Sequence, residues 1–217
     1  KQILKNIEIQ YIKLMEQSDI YTETSKCLLD DIKYLSKKGL KSQLNSYPRL
    51  TLQTAQRLEK EVYEFEIIGD ENILVSDTFK PFIKSLIHVF RNSVDHGIET
   101  PERRDELEKD EVGTISCSFN NENNKLQIII SDDGAGIDIK KIKEKISNDV
   151  DTSILTNEEI FNYIFKDNLS TKDKVTDTSG RGIGMSAVKA ELDKLNGTVK
   201  IQSELNVGTT FVFEIEL

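Results

Sequence analysis

The 217-residue chain has no tryptophan, only two cysteines and two histidines, and no surplus of positive charge. Cys27 and Cys117 stand far apart, with no partner at metal-ligand spacing. This counts against a thiolate metal site or a disulfide framework and leaves two reduced thiols in an intracellular core. The net charge is −9 and no basic stripe interleaved with aromatics occurs, so nucleic-acid binding is not expected. No apolar run is long enough to span a membrane. The N-terminal Lys1–Gln17 stretch is amphipathic rather than apolar and does not read as a signal peptide. A cytoplasmic protein without membrane contact is therefore expected. The first residue is lysine, not methionine, which suggests a segment of a larger protein.

What is present suits a folded domain: 37% hydrophobic and 31% charged residues. Residues 1–46 read as helical, with a seven-residue apolar repeat through Leu4, Ile7, Tyr11, Leu14, Tyr21, Leu28, Ile32 and Leu35. Two such helices are expected to form a hairpin that dimerises; packing on the following domain is the competing arrangement. Pro48 suits the first turn of a helix over 48–60. Val62–Ile68 reads as a strand, Asp77–Gly97 as a strong amphipathic helix, and 113–131 as a hairpin turning at Asn120–Asn124. Helices are expected near 138–147, 157–165 and Gly182–Leu195, and strands at Thr198–Ser203 and Thr209–Leu217. The polar Asp167–Gly180 stretch has almost no core residues. Hairpins outnumber strand–helix–strand repeats, so the expected fold is α+β: a two-layer α/β sandwich with helices on one face of a mostly antiparallel sheet, preceded by an N-terminal helical segment.

Three stretches carry chemistry. The first is HVFRNSVDHGIETPERR, His88–Arg104, which holds both histidines. At 100° per residue, Phe79, Phe82, Ile83, Leu86, Phe90 and Val94 gather on one side, and His88, Asn92 and Asp95 fall within about 60° of one another on the other. A carbonyl oxygen, a ring nitrogen and a carboxylate in one row could meet a hard cation or a phosphate. Alone, the row is no more than the solvated face of an amphipathic helix. The second is SDDGAGID, Ser131–Asp138, directly after an apolar strand. Gly134 and Gly136 let backbone approach a flat ligand, and Asp132 can accept a hydrogen bond from an exocyclic amine. Asp-Asp-Gly is also ordinary turn chemistry. The third is SGRGIGMSAVKAEL, Ser179–Leu192, where Gly180, Gly182 and Gly184 lead into a helix. Free backbone N–H groups at a helix start favour phosphate. The spacing is neither that of a P-loop nor that of the dinucleotide fingerprint. Upstream, Leu169-Ser170-Thr171-Lys172 could reach over the phosphates, and Gly208-Thr209-Thr210 opens the last strand.

Taken in this order, the asparagine helix, DxGxG, GxGxG and GTT resemble the ATP-binding domain of the GHKL superfamily of histidine kinases, gyrase-type topoisomerases, heat-shock chaperones and mismatch-repair ATPases, the Bergerat fold. Within it the chain most resembles the chemotaxis-type (CheA-like) histidine kinases. HVFRNSVDHGIETPERR, Ser131–Gly136 and LSTKDKVTDTSGRGIGM match their nucleotide motifs nearly throughout. The resemblance covers about residues 47–217, the catalytic domain, and leaves 1–46 as the helical segment. It implies a protein-histidine kinase, a phosphotransferase of two-component signalling that uses ATP with Mg²⁺. Asn92 would coordinate Mg²⁺, and His88 would assist through the metal or as a base. Arg91, Asp95 and His96 would shape the phosphate side. Asp132 would read the adenine amine, with Gly134 and Gly136 beneath the ring and Thr210 nearby. Ser170, Thr171 and catalytic Lys172 would belong to a lid, and Gly180, Arg181, Gly182, Ile183 and Gly184 would wrap the phosphates. Leu169 stands where phenylalanine is usual. The phosphoacceptor histidine would lie on another domain, because residues 1–46 contain no histidine; a response regulator would act downstream. The competing functions are an ATP-gated conformational ATPase and a non-catalytic nucleotide-binding scaffold.

Overall fold

The structure is a computed structural model describing residues 6–13, 28, 31–32, 37–147, 150–166 and 184–217. Its strands are β1 (Lys38–Gly39), β2 (Ile67–Ile68), β3 (Leu74–Val75), β4 (Ile115–Glu122), β5 (Lys125–Asp132), β6 (Thr198–Glu204) and β7 (Gly208–Glu216). The main sheet has the order β2-β4-β5-β7-β6. β2 runs parallel to β4, and the other pairings are antiparallel. Period-2 alternation buries one face: Ile115, Cys117 and Phe119 from β4, Leu126, Ile128 and Ile130 from β5, Phe211, Phe213 and Ile215 from β7. The β4–β5 turn is tight because Asn123 and Asn124 both take positive φ, at 52° and 63°, as a two-residue type I′ hairpin requires.

The helices are α1 (Leu40–Leu44), α2 (Tyr47–Arg57), α3 (Lys80–Ser85), α4 (Ile87–Asn92), α5 (Pro101–Glu106), α6 (Ile139–Ile146), α7 (Asn157–Asn162) and α8 (Gly184–Asp193). The apolar side expected for 77–97 is the buried side: Phe82, Leu86, Val89, Phe90 and Val94 are fully enclosed. Phe82 meets Phe213 edge-on at 5.6 Å, joining helix layer to sheet. Each such side chain contributes about 1.5–3 kcal/mol by leaving water. The two-layer sandwich is thus the fold. Among the described residues, no helix is long and apolar enough to cross a membrane.

Four local departures have physical reasons. Residues 77–97 are not one helix. The Ser85 hydroxyl donates to the Phe82 carbonyl at 2.7 Å, and the Leu86 N–H is shared between Phe82 and Ile83, so α3 and α4 meet at a break. Ser93–Gly97 then forms a π turn, closed by Ile98 N–H donating to Ser93 O at 2.7 Å. The strand expected at Val62–Ile68 shrinks to Ile67–Ile68. Val62 bridges Gly113 while Ile67 pairs Cys117, a register change of one residue that breaks the ladder between them. Lys38–Gly39 is not helical but pairs antiparallel with Leu74–Val75. Leu40 and Leu44 are fully buried in the main core. Finally, α5 lies outside the apolar periodicity. Its marks are local: Thr100 caps it, accepting from Arg103 N–H, and Pro101 opens it.

Candidate active site

The end of β5 lies against the end of the asparagine helix. Ala135 N–H donates to Gly97 O at 2.8 Å. A Cβ on Gly134 would lie 2.2 Å from the Gly97 carbonyl, so backbone meets backbone there with no side chain between. On the other side the loop meets the β6–β7 turn: Asn206 N–H donates to Ala135 O and Ile137 N–H to Ser203 Oγ, both at 2.8 Å. Gly136 has φ +68°, and a Cβ on it would lie 2.1 Å from Glu204 O. Both glycines of the DxGxG stretch are therefore required by close approach, and Gly136 also by conformation.

Asp132 sits at the centre of this junction, 7% exposed. Burial pushes its carboxyl up to about 6, and the neighbouring Asp133 charge adds to the rise; the Ser93 hydroxyl and the Gly134 and Thr209 amides pull it back. Gly134 N–H donates to Asp132 Oδ1 at 3.2 Å. Ser93 Oγ is buried without a hydrogen bond of normal geometry, so its contact with the carboxylate is weak. Gly97 leaves room beside the same carboxylate: a Cβ there would lie 3.0 Å from Oδ1. A buried carboxylate held by N–H donors on one side is suited to accept a hydrogen bond from an amine.

His88 and Asn92, one α-helical turn apart on α4, are both half-buried. Burial, and then the Arg91 charge, pull the His88 pKa below its ordinary value, which favours the neutral imidazole. Gly184, the first residue of α8, faces this ring; a Cβ there would stand 3.8 Å from His88 Nδ1. Arg91 and His96 are exposed and Asp95 is half-buried. The α spacing on which the His88–Asn92–Asp95 row depends ends at Asn92, because the π turn begins at Ser93 and changes the phase of Asp95 and His96. Lys60 Nζ donates to the carbonyls of Val94 and Asp95 at 2.7 and 3.1 Å and caps this turn. Ser170, Thr171, Lys172, Gly180, Arg181, Gly182 and Ile183 lie outside the described residues.

Thr210, expected near the ring, stands one residue along from the threonine that faces Asp132. In the β5–β7 register Asp132 pairs with Thr209 and Ser131 with Thr210. Directly opposed residues share a face, so Thr209 lies beside Asp132 and is buried, while Thr210 turns to the outer face and bonds Ser131 Oγ at 2.7 Å. An open cavity of about 530 Å³ at this strand end is lined by Ser131 and Thr210 and also by Asp132 and Thr209, but not by His88, Asn92 or Gly184. The alternation of Phe211, Phe213 and Ile215 is the signal that points to Thr209. Gly97 and Ser93 carry no mark of their own in the sequence and are set apart only by their place beside Asp132.

A helix layer on a five-stranded mixed sheet, with a buried carboxylate at a strand end against an asparagine-bearing helix, defines a two-layer α/β-sandwich domain. The chain belongs to the histidine kinase-, DNA gyrase B-, and HSP90-like ATPase family, whose profile matches residues 83–217. It is 41% identical over 178 residues to the sensor histidine kinase CheAY of Helicobacter pylori, covering 80% of this chain and 22% of that protein. It is 33% identical over 215 residues to the chemotaxis protein CheA of Bacillus subtilis, covering 97% of this chain and 32% of that one. The chain thus spans about a fifth to a third of the curated relatives it matches. In fold it is similar to the mycobacterial sensor histidine kinase MprB, with TM-score 0.54, 12% identity and coverage of 83% and 95% of the two chains.

Proposed function

We propose that the chain is the ATP-binding catalytic core of a CheA-like histidine kinase, passing the γ-phosphoryl group of ATP to a histidine on a separate domain in two-component chemotaxis signalling. The observation that carries this reading is buried Asp132, wedged between Gly97, Gly134 and Thr209. In this reading Asp132 accepts from the adenine amine, Thr209 flanks it, and the phosphates run toward Gly184 and the α8 N-terminus. The 33–41% identity to CheA proteins supports histidine as the acceptor. Phosphoryl transfer asks for positioning and charge neutralisation rather than a covalent enzyme group.

Mg²⁺ fits this site as a phosphate-held ion. Among the described residues no cluster of three or more His, Cys, Asp or Glu could cage a metal, and Mg²⁺ commonly takes only one or two protein ligands beside phosphates and water. Asn92 would offer its carbonyl oxygen and His88 its neutral ring; the ion would neutralise phosphate charge. Arg91, Asp95 and His96 would border the phosphates. Ser170, Thr171 and Lys172 would close over them, and Gly180–Ile183 would supply backbone N–H groups. A cytoplasmic location, dimerisation through residues 1–46 and a downstream response regulator belong to the same reading.

The chain holds two histidines, His88 and His96, both in the nucleotide-site helix. Incubation with γ-labelled ATP and Mg²⁺ should therefore leave this chain unlabelled and place acid-labile label on an added histidine domain of the parent protein. Release of inorganic phosphate with no labelled histidine would overturn the kinase reading in favour of hydrolysis.

A further inference from the structure

Behind the DxG turn lies a charged cluster of residues that the reading above gives no nucleotide contact. Arg104, on α5, is 1% exposed, the most deeply buried cation among the described residues. Its guanidinium donates to both carboxylate oxygens of Asp133, at 3.1 and 2.9 Å, and to Glu99 Oε2 at 3.1 Å; its Nε donates to Asp110 O. Lys109 Nζ, 14% exposed, donates to Glu99 Oε1 at 2.9 Å and then to two successive main-chain carbonyls, Asp133 O at 2.7 Å and Gly134 O at 2.8 Å. Asp133 Oδ1 also accepts from Thr114 N–H at 2.9 Å.

Two carbonyls pointing at one ammonium fix the sense of two peptide planes. The carbonyl of Asp133 belongs to the peptide whose N–H is that of Gly134, and the carbonyl of Gly134 to the peptide whose N–H is that of Ala135. With both carbonyls turned to Lys109, both N–H groups face the other way. Gly134 N–H then meets Asp132 Oδ1, and Ala135 N–H meets Gly97 O. Arg104 holds the intervening side chain of Asp133 with a bidentate grip, which constrains orientation as well as distance.

We propose that Lys109 and Arg104 are positioning residues for recognition of the nucleotide base: by fixing the two peptides that follow Asp133 they aim the Asp132 carboxylate at the exocyclic amine of the purine. The inference rests on the reading of Asp132 as the base contact. It differs from a plain stabilising role in what it requires. A cluster that only held the fold together would, when broken, weaken all nucleotides alike. A cluster that aims Asp132 affects nucleotides according to whether they carry the amine.

The test compares ATP with purine riboside triphosphate, which lacks the 6-amino group and is otherwise the same ligand. Affinities are measured by calorimetry for the chain and for Lys109→Met, Glu99→Gln and Asp132→Asn, with folding checked by circular dichroism. K109M is expected to weaken ATP about tenfold and the amine-free analogue less than about twofold. E99Q, which keeps the Lys109–carbonyl bonds, should preserve the wild-type ratio of the two affinities. D132N should collapse that ratio. If D132N leaves the ratio unchanged, the base-contact reading itself fails. If D132N collapses it but K109M weakens both ligands equally, or neither, the positioning role is overturned and the base contact stands. Should K109M not fold, Arg104→Lys, which keeps the cation but gives up the paired grip on Asp133, is read for the same ratio with the same two outcomes.

Discussion

Asp132→Asn should make the nucleotide-free protein more stable while making it a poorer nucleotide binder. Burial raises the Asp132 carboxyl from an ordinary 3.8 to about 6. Such a rise means that the folded chain disfavours the ionised form. A difference of about two units corresponds to roughly 3 kcal/mol. The sign follows from the two states. Below pH of about 4 the group is protonated whether folded or unfolded, and it carries no penalty. Between pH of about 4 and 6 the unfolded chain ionises first, and stability falls. Above about 6 both states are ionised and the full penalty is present. Asparagine has no such titration. Its amide oxygen can keep the Gly134 N–H bond, while its NH₂ faces the Thr209 amide and returns part of the gain. Denaturant unfolding at pH 4.5 and 8 without nucleotide should thus show D132N ahead of wild type at pH 8, by about 1–3 kcal/mol, with the gap narrowing at acid pH. Adding ATP should narrow or close this gap, because a mismatched buried hydrogen bond costs about 1–3 kcal/mol of the nucleotide's binding. A gap that does not change with pH, or a variant less stable than wild type at pH 8, would refute the argument.

Other expectations follow from single contacts. Gly134→Ala forces a Cβ to within 2.2 Å of the Gly97 backbone; it should cost at least about 2 kcal/mol in chemical denaturation, since neither chain segment has a side chain to yield. Thr209→Val should weaken ATP by about 1 kcal/mol, roughly fivefold, in calorimetry, whereas Thr210→Val should leave ATP affinity unchanged while losing the Ser131 hydroxyl bond. Equal effects of the two would mean that the face assignment is wrong.

The sandwich is legible in the sequence because period-2 and period-3.6 apolar patterns are imposed by burial. Phe82, Phe90, Ile128 and Phe213 read inward from periodicity alone. Asp132, Gly134 and Gly136 are legible because backbone approach leaves glycine as its mark. The π turn at Ser93–Gly97 is not legible: it is one extra residue in a helix whose composition still suits an α-helix, and only the Ser93–Ile98 bond declares it. The GTT motif suggests Thr210 where the strand alternation selects Thr209. Arg104 and Lys109 look like ordinary surface charges, because a buried ion network is made by residues scattered over Glu99–Asp133 and no local period records it. The pairing of Lys38–Gly39 with Leu74–Val75 is hidden for a similar reason, as two-residue strands carry no pattern of their own.

That small pairing has a mechanical consequence. A loose linker passes on tension and nothing else. Residues 38–44 are instead clamped: Lys38 and Gly39 against Val75 and Leu74, Leu40 N–H to Ile73 O at 2.9 Å, and Leu40 and Leu44 sunk in the core. A segment held by backbone on one side and by buried side chains on the other transmits torque and compression as well as pull. Rotation applied ahead of residue 37 arrives at Ile73–Val75, and from there it is two residues to Asp77, where the helical run that carries His88 and Asn92 begins. Residues 38–44 are joined to the helical run bearing His88 and Asn92 as a crank is joined to its shaft.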